Sequence, residues 1–171
     1  MNLQSDDFEL FGLERRFSQD RSAIDARWKD LQREAHPDRF AAEGGAALRV
    51  AMQWSVRINE AYQRLKDPLK RAAYLCELHG APIDAHSNTA MPADFLMQQI
   101  EWREALDDAD SSDALEALNA QVQSSRKRLL QQCEALLDLE RSYADAVAPV
   151  RALMFIEKFT QDLNQRFEQF E

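Results

Sequence analysis

The tripeptide His36-Pro37-Asp38 is the segment of this chain whose residue types could do chemistry. A histidine two residues from an aspartate could act as a general base that the carboxylate orients. Such a base also needs a nucleophile, an oxyanion hole or a set of metal ligands, and the sequence around the tripeptide offers none of these. An enzyme that uses His36 and Asp38 is therefore the weaker interpretation, and recognition of a partner by these side chains is the stronger one.

Two long helices are predicted to meet at the tripeptide. Apolar residues recur at helical spacing through residues 21–35. That helix must end at His36, because a residue that precedes proline is disfavoured in the α conformation. A loop containing Gly44 and Gly45 follows, and a second helix is predicted over residues 46–66. The short connection predicts that the two helices pack antiparallel as a hairpin.

The remaining chain also predicts helices, so the fold class is all-α. Four glycines and five prolines leave little room for the turns of a β protein. The other predicted helices cover residues 7–13, 68–78, 93–109, 113–139 and 145–170, with Pro149 in the first turn of the last one. The breaker-rich stretch GAPIDAHSNTAMP predicts a linker. We therefore expect a domain over residues 1–79, a linker over 80–92, and an antiparallel three-helix domain over 93–171.

Charge and composition exclude several functional classes. The chain carries a net charge of −9, and the whole excess lies after His79, so nucleic acid is a poor partner. No apolar run approaches the roughly 20 residues that cross a bilayer, and residues 1–11 do not have the pattern of a leader peptide. Cys76 and Cys133 are expected to be buried free thiols that bind no metal. We expect a cytoplasmic location by default.

The tripeptide and the helix before it resemble the J domain of DnaJ-type co-chaperones. In that family a basic helix leads into His-Pro-Asp, and the helix here carries Arg27, Lys29 and Arg33. The resemblance implies that these three residues, with His36, Pro37 and Asp38, bind a DnaK- or HscA-type ATPase and promote ATP hydrolysis. The physical logic is consistent, because Pro37 stiffens the turn and Asp38 can accept charge-assisted hydrogen bonds from a partner arginine.

A longer pattern resembles the HscB family, the specialised J proteins of bacterial iron-sulfur cluster assembly. It comprises Ile58-Asn59-Glu60-Ala61-Tyr62, Leu65, Asp67-Pro68, Arg71-Ala72, Tyr74-Leu75 and Gly80. The resemblance covers essentially the whole chain and implies an L-shaped pair of helical domains. It also implies a co-chaperone that is not an enzyme, that needs no cofactor, and that delivers the cluster scaffold IscU to an HscA-type chaperone. A J-domain adaptor for a different client is the alternative.

The apolar pattern of the helix predicted over residues 93–109 indicates where a client binds. Phe95, Trp102 and Leu106 form its core stripe, whereas three further apolar residues lie beside that stripe on a neighbouring face. The scaffold-contact positions of the family fall on Leu96, Met97, Ile100, Glu101, Glu104, Asp108 and, in the last helix, Phe155. The alternative is that Met97 and Phe155 widen the core of the bundle.

Overall fold

The computed structural model describes residues 2–84 and 91–171, and these residues contain seven α-helices and no strand. The helices are α1 (Asp7–Phe11), α2 (Arg21–Ala35), α3 (Gly45–Lys66), α4 (Pro68–Leu78), α5 (Ala93–Asp108), α6 (Ser112–Glu134) and α7 (Tyr143–Glu168). The predicted all-α class is confirmed. None of the described helices is long and apolar enough to cross a membrane.

The chain divides into two compact units, residues 1–75 and residues 76–171. The last residues of α4 therefore belong to the second unit. The predicted linker, residues 80–92, includes residues 85–90, which lie outside the described residues. Its role as a domain boundary stays a prediction.

In the first unit, α2 and α3 form the hairpin that carries the tripeptide. Asp20 caps α2 by accepting the Ser22 N–H, and the helix ends at Ala35, as the proline at 37 predicts. Polar contacts between the two helices supplement their apolar seam. The Tyr62 hydroxyl donates a hydrogen bond to Asp25 at 2.7 Å, and its ring stacks on Trp28 with centroids 4.6 Å apart. Hydrogen bonds from Tyr62 and Arg21 hold the pKa of Asp25 below its usual range.

A buried carboxylate ties α1 to α3. The side chain of Asp7 is fully buried and pairs with Arg57 at 2.7 Å and with Arg64 at 2.5 Å. The Asp7 backbone N–H also donates to the hydroxyl of Tyr74 at 3.0 Å, which links α1 to α4. Two guanidinium groups compensate this desolvated charge, so the removal of Asp7 would leave both of them without their common partner.

In the second unit, α5, α6 and α7 pack around one apolar core. Its buried members are Trp102, Leu106, Ala109, Leu115, Leu118, Val122, Ile156, Phe159 and Leu163. Cys76 and Cys133 are free and buried, as predicted. Burial raises the pKa of the Cys76 thiol to about 11 and that of the Cys133 thiol to about 12, so both stay protonated at neutral pH.

Two local expectations in the bundle are wrong. Pro149 is the seventh residue of α7 and not part of its first turn, because the helix already begins at Tyr143, whose ring stacks on His79 at 3.7 Å. The apolar spacing along residues 115–136 predicts Leu136 as the next core residue, but Leu137 is the buried one. Residues Ala135–Leu139 form a π-helix, whose wider turn brings the next residue along the chain to the core.

We expect the substitution Asp7→Ala to lower the free energy of unfolding by about 3 kcal/mol, because it leaves Arg57 and Arg64 without their buried counter-charge. Urea denaturation of the full chain measures this change. Asp30→Ala is the matched control. Asp30 forms an exposed ion pair with Arg33 at 3.6 Å, and such a pair contributes less than about 1 kcal/mol to stability. Equal losses from the two substitutions would contradict the anchoring role of Asp7.

Candidate functional site

The tripeptide forms an exposed cap at the start of a short helix. Pro37 is the first residue of a 3-10 helix, Pro37–Glu43, and the His36 side chain caps that helix. His36 Nδ1 accepts the backbone N–H of Asp38 at 3.2 Å. The carboxylate of Asp38 lies 3.6 Å from the same nitrogen, and the Asp38 side chain is 92% exposed.

This geometry differs from a histidine base that an aspartate orients. In such a pair, Nδ1 carries a proton and donates a hydrogen bond to the carboxylate. Here Nδ1 accepts a backbone N–H instead of donating to the carboxylate of Asp38. Asp38 is therefore held as an exposed acceptor at a fixed turn, which suits recognition of a cationic group on a partner.

The basic residues of α2 do not form one face. Lys29 and Arg33 are exposed and lie four residues apart, so they share one side of the helix. Arg27 is only half exposed and lies roughly 120–160° around the helix from these two residues. The structure thus brings together Lys29 and Arg33 and separates Arg27 from them.

Two features beside the tripeptide were missed in the sequence. Arg39 is exposed and donates to the Arg33 carbonyl oxygen at 3.3 Å, which places another cation near Asp38. Its position directly after the tripeptide was an available signal. A pocket of about 550 Å³ also lies between α2, the 3-10 helix and α3, with Leu31, Phe40 and Trp54 among its lining residues. No local pattern predicts this pocket, because its walls come from three separate elements.

The apolar face predicted on α5 is exposed. Leu96, Met97 and Ile100 are 41%, 62% and 59% exposed, whereas Trp102 and Leu106 are buried in the core. The three predicted carboxylates of this face, Glu101, Glu104 and Asp108, are exposed as well. At roughly 100° per residue these carboxylates lie beside the three apolar residues and away from Trp102 and Leu106. We call the predicted contact residues the client face: Leu96, Met97, Ile100, Glu101, Glu104, Asp108 and Phe155.

Phe155 is half-buried and belongs to an aromatic cluster between α5 and α7. Its ring lies 5.8 Å from that of Phe95 in an edge-to-face contact, and it stacks with Trp102 at 6.4 Å and with Phe159 at 5.7 Å. Phe155 is therefore neither a full core residue nor a fully exposed one. One part of the ring packs against the core, and the rest remains accessible.

Comparisons with known proteins agree with this architecture. A family profile described as the HSCB C-terminal oligomerisation domain matches residues 91–164. The co-chaperone protein HscB homologue of Burkholderia multivorans is 46% identical, with 100% of this chain and 99% of the relative covered. The homologue of Paraburkholderia phytofirmans is 45% identical over 99% of this chain and 98% of its own length.

Solved structures give the same result. The chaperone HscB from Vibrio cholerae superposes with a TM-score of 0.85 at 34% identity, covering 98% of this chain and 100% of its own. The human co-chaperone HscB, at 24% identity, supports the fold alone, with a TM-score of 0.92 over 97% of this chain and 84% of its own.

A helical hairpin with an exposed His-Pro-Asp turn, followed by a three-helix bundle, defines a J-domain co-chaperone. At 46% identity over the full length of a named relative, this chain belongs to the HscB family of co-chaperones.

The exposure of the client face can be tested by stability alone. We expect Met97→Gln to change the free energy of unfolding by less than about 0.5 kcal/mol, because the side chain is already in water. Trp102→Ala, on the opposite side of α5, should cost about 3–5 kcal/mol, because it empties part of the core. Urea denaturation measures both changes. A loss above about 2 kcal/mol for Met97→Gln would place Met97 in the core instead.

Proposed function

We propose that this protein binds an IscU-type iron-sulfur scaffold through the client face and delivers it to an HscA-type chaperone, whose ATPase it stimulates. The scaffold-loaded chaperone would then release the cluster to apoproteins, and all of this would take place in the cytoplasm. The observation that carries the proposal is the second apolar face of α5, which is edged by carboxylates and exposed although the core is complete without it. Membership of the HscB family supports the same partners.

The ATPase side of the proposal rests on the tripeptide. Asp38 is held at the start of a 3-10 helix by the cap that His36 forms, so little conformational freedom is lost on docking. The cations Lys29, Arg33 and Arg39 would steer the protein toward an acidic surface of the chaperone. In the proposed complex Asp38 accepts a hydrogen bond from a cationic group, and Arg27 contributes less than the other basic residues because it lies on another side of α2.

The client side follows from the chemistry of its face. Leu96, Met97 and Ile100 provide apolar area whose burial is favourable at about 25 cal/mol per Å². The surrounding carboxylates favour a partner with an apolar centre and a basic rim. The chain itself supplies no chemistry to the cluster in this proposal. Its role is to bring together a scaffold and an ATPase.

The ATPase arm is tested by steady-state hydrolysis by the HscA-type chaperone. Asp38→Asn keeps the shape of the side chain and removes its charge, so stimulation should fall about tenfold or more, since a hydrogen bond to a charged group is worth about 1.5–3 kcal/mol. His36→Gln should also weaken stimulation. Glu14→Gln, which neutralises an exposed carboxylate elsewhere in the first unit, is the control. Full stimulation by both tripeptide variants, or ATP hydrolysis by the isolated protein, would refute this arm.

The client arm is tested by calorimetric titration of the IscU-type scaffold. The double substitution Leu96→Ala with Phe155→Ala should weaken binding at least about 30-fold, because interface hot spots are worth about 2 kcal/mol or more. Leu139→Ala is the matched control, since Leu139 is an exposed leucine of the same unit outside the client face. Unchanged affinity after the double substitution would favour an adaptor for a different client.

A further inference from the structure

Phe155 is the one member of the client face that α7 contributes, and its ring is only partly fixed by the core. Phe95, Trp102 and Phe159 contact it at centroid distances of 5.7–6.4 Å. A neighbour over the remaining part of the ring would restrict its rotamers further. The conformation of Phe155 therefore depends on whatever covers it there.

Arg103 is that neighbour. Its guanidinium carbon lies 5.7 Å from the ring centroid of Phe155 and 5.1 Å from that of Phe159, within the range of cation–π contacts. The guanidinium is fixed from α7 as well, because Arg103 Nη1 lies 2.7 Å from a carboxylate oxygen of Asp162. One planar group thus makes three contacts with α7, and both ends of this ion pair are partly shielded from water.

Arg103 also shares a side of α5 with two apolar members of the client face. Leu96, Ile100 and Arg103 stand at positions i, i+4 and i+7, which form one helical stripe. The residue that covers Phe155 on α7 thus continues the row of residues proposed to contact the client. Arg103 connects the two halves of the client face.

We propose that Arg103, clamped by Asp162, is a positioning residue that holds Phe155 of α7 in register with Leu96 and Ile100 of α5 for client binding. The inference rests on the proposed function. Arg103 acts through Phe155 rather than through its own charge, and the planar guanidinium suits this role because it can stack on rings and donate to a carboxylate at the same time.

Whether removal of Arg103 weakens or tightens client binding distinguishes a positioning role from simple electrostatic repulsion. Glu101, Glu104 and Asp108 give the client face an acidic edge, which favours a basic partner. A free arginine on such a face would repel that partner, so its removal would tighten binding. A positioning role predicts the opposite result, because removal of the guanidinium frees the Phe155 ring.

The test is calorimetric titration of the full chain with the IscU-type scaffold. Arg103→Ala should weaken scaffold binding roughly five- to tenfold, in line with the strength of cation–π contacts. Asp162→Asn, at a residue outside the client face, should weaken it about threefold, in line with a partly exposed ion pair. The affinity of Arg103→Lys for the scaffold should lie between that of the wild type and that of Arg103→Ala. The control is Arg128→Ala, which removes the same charge from an exposed position on α6 and should change affinity less than about twofold.

A double-mutant cycle with Phe155 excludes a merely structural role. In a Phe155→Ala background, Arg103→Ala should change the affinity by less than about twofold, because the ring that it positions is gone. The ring-proton chemical shifts of Phe155 should move in Arg103→Ala and in Asp162→Asn, which detects displacement even if the bundle stays folded. An equal loss of affinity in both backgrounds, unmoved Phe155 shifts or tighter binding by Arg103→Ala would overturn the inference. Absence of binding by the wild-type protein would instead refute the proposed function.

Discussion

A helix in a three-helix bundle can bury one face against its two neighbours. Helix α5 carries apolar residues on two of its faces. Trp102 and Leu106 occupy the buried face, so Leu96, Met97 and Ile100 remain in water. Leaving three large apolar side chains exposed forgoes the free energy that their burial would provide, about 25 cal/mol for each Å². Such a face is typical of a surface that another molecule covers, and the client-binding proposal rests on it.

Both candidate surfaces are built on braced helices rather than on loose loops. The tripeptide stands at the end of a hairpin that Tyr62, Asp25 and Trp28 hold together, and its own backbone is capped by His36. The client face lies along α5 and is completed from α7 through packed rings. Preorganised side chains lose little entropy on binding, which suits a protein whose proposed role is to hold two partners at once.

Prediction from the sequence succeeded where one local rule dominates. The range of α2 followed from its apolar spacing and from Pro37, and the buried state of both cysteines followed from their positions in apolar stripes. It failed where packing overrides local rules. The π-helical turn at Ala135–Leu139 brings Leu137 to the core in place of Leu136, and Pro149 sits well inside α7. Arg27 is a different case, because helical periodicity alone places it on another side of α2 from Lys29 and Arg33.

The sequence by itself determined the helices, the tripeptide and the family, because each of these is carried by residues close together in the chain or by overall similarity. The sequence also assigned Trp102 and Leu106 to the core stripe of α5. Only the tertiary structure decided that Leu96, Met97 and Ile100 stay exposed, since that depends on where α6 and α7 pack. The same holds for the side chains that complete the client face. Phe155 and Asp162 meet Arg103 across more than fifty residues of chain, and the folding of the bundle alone brings them together.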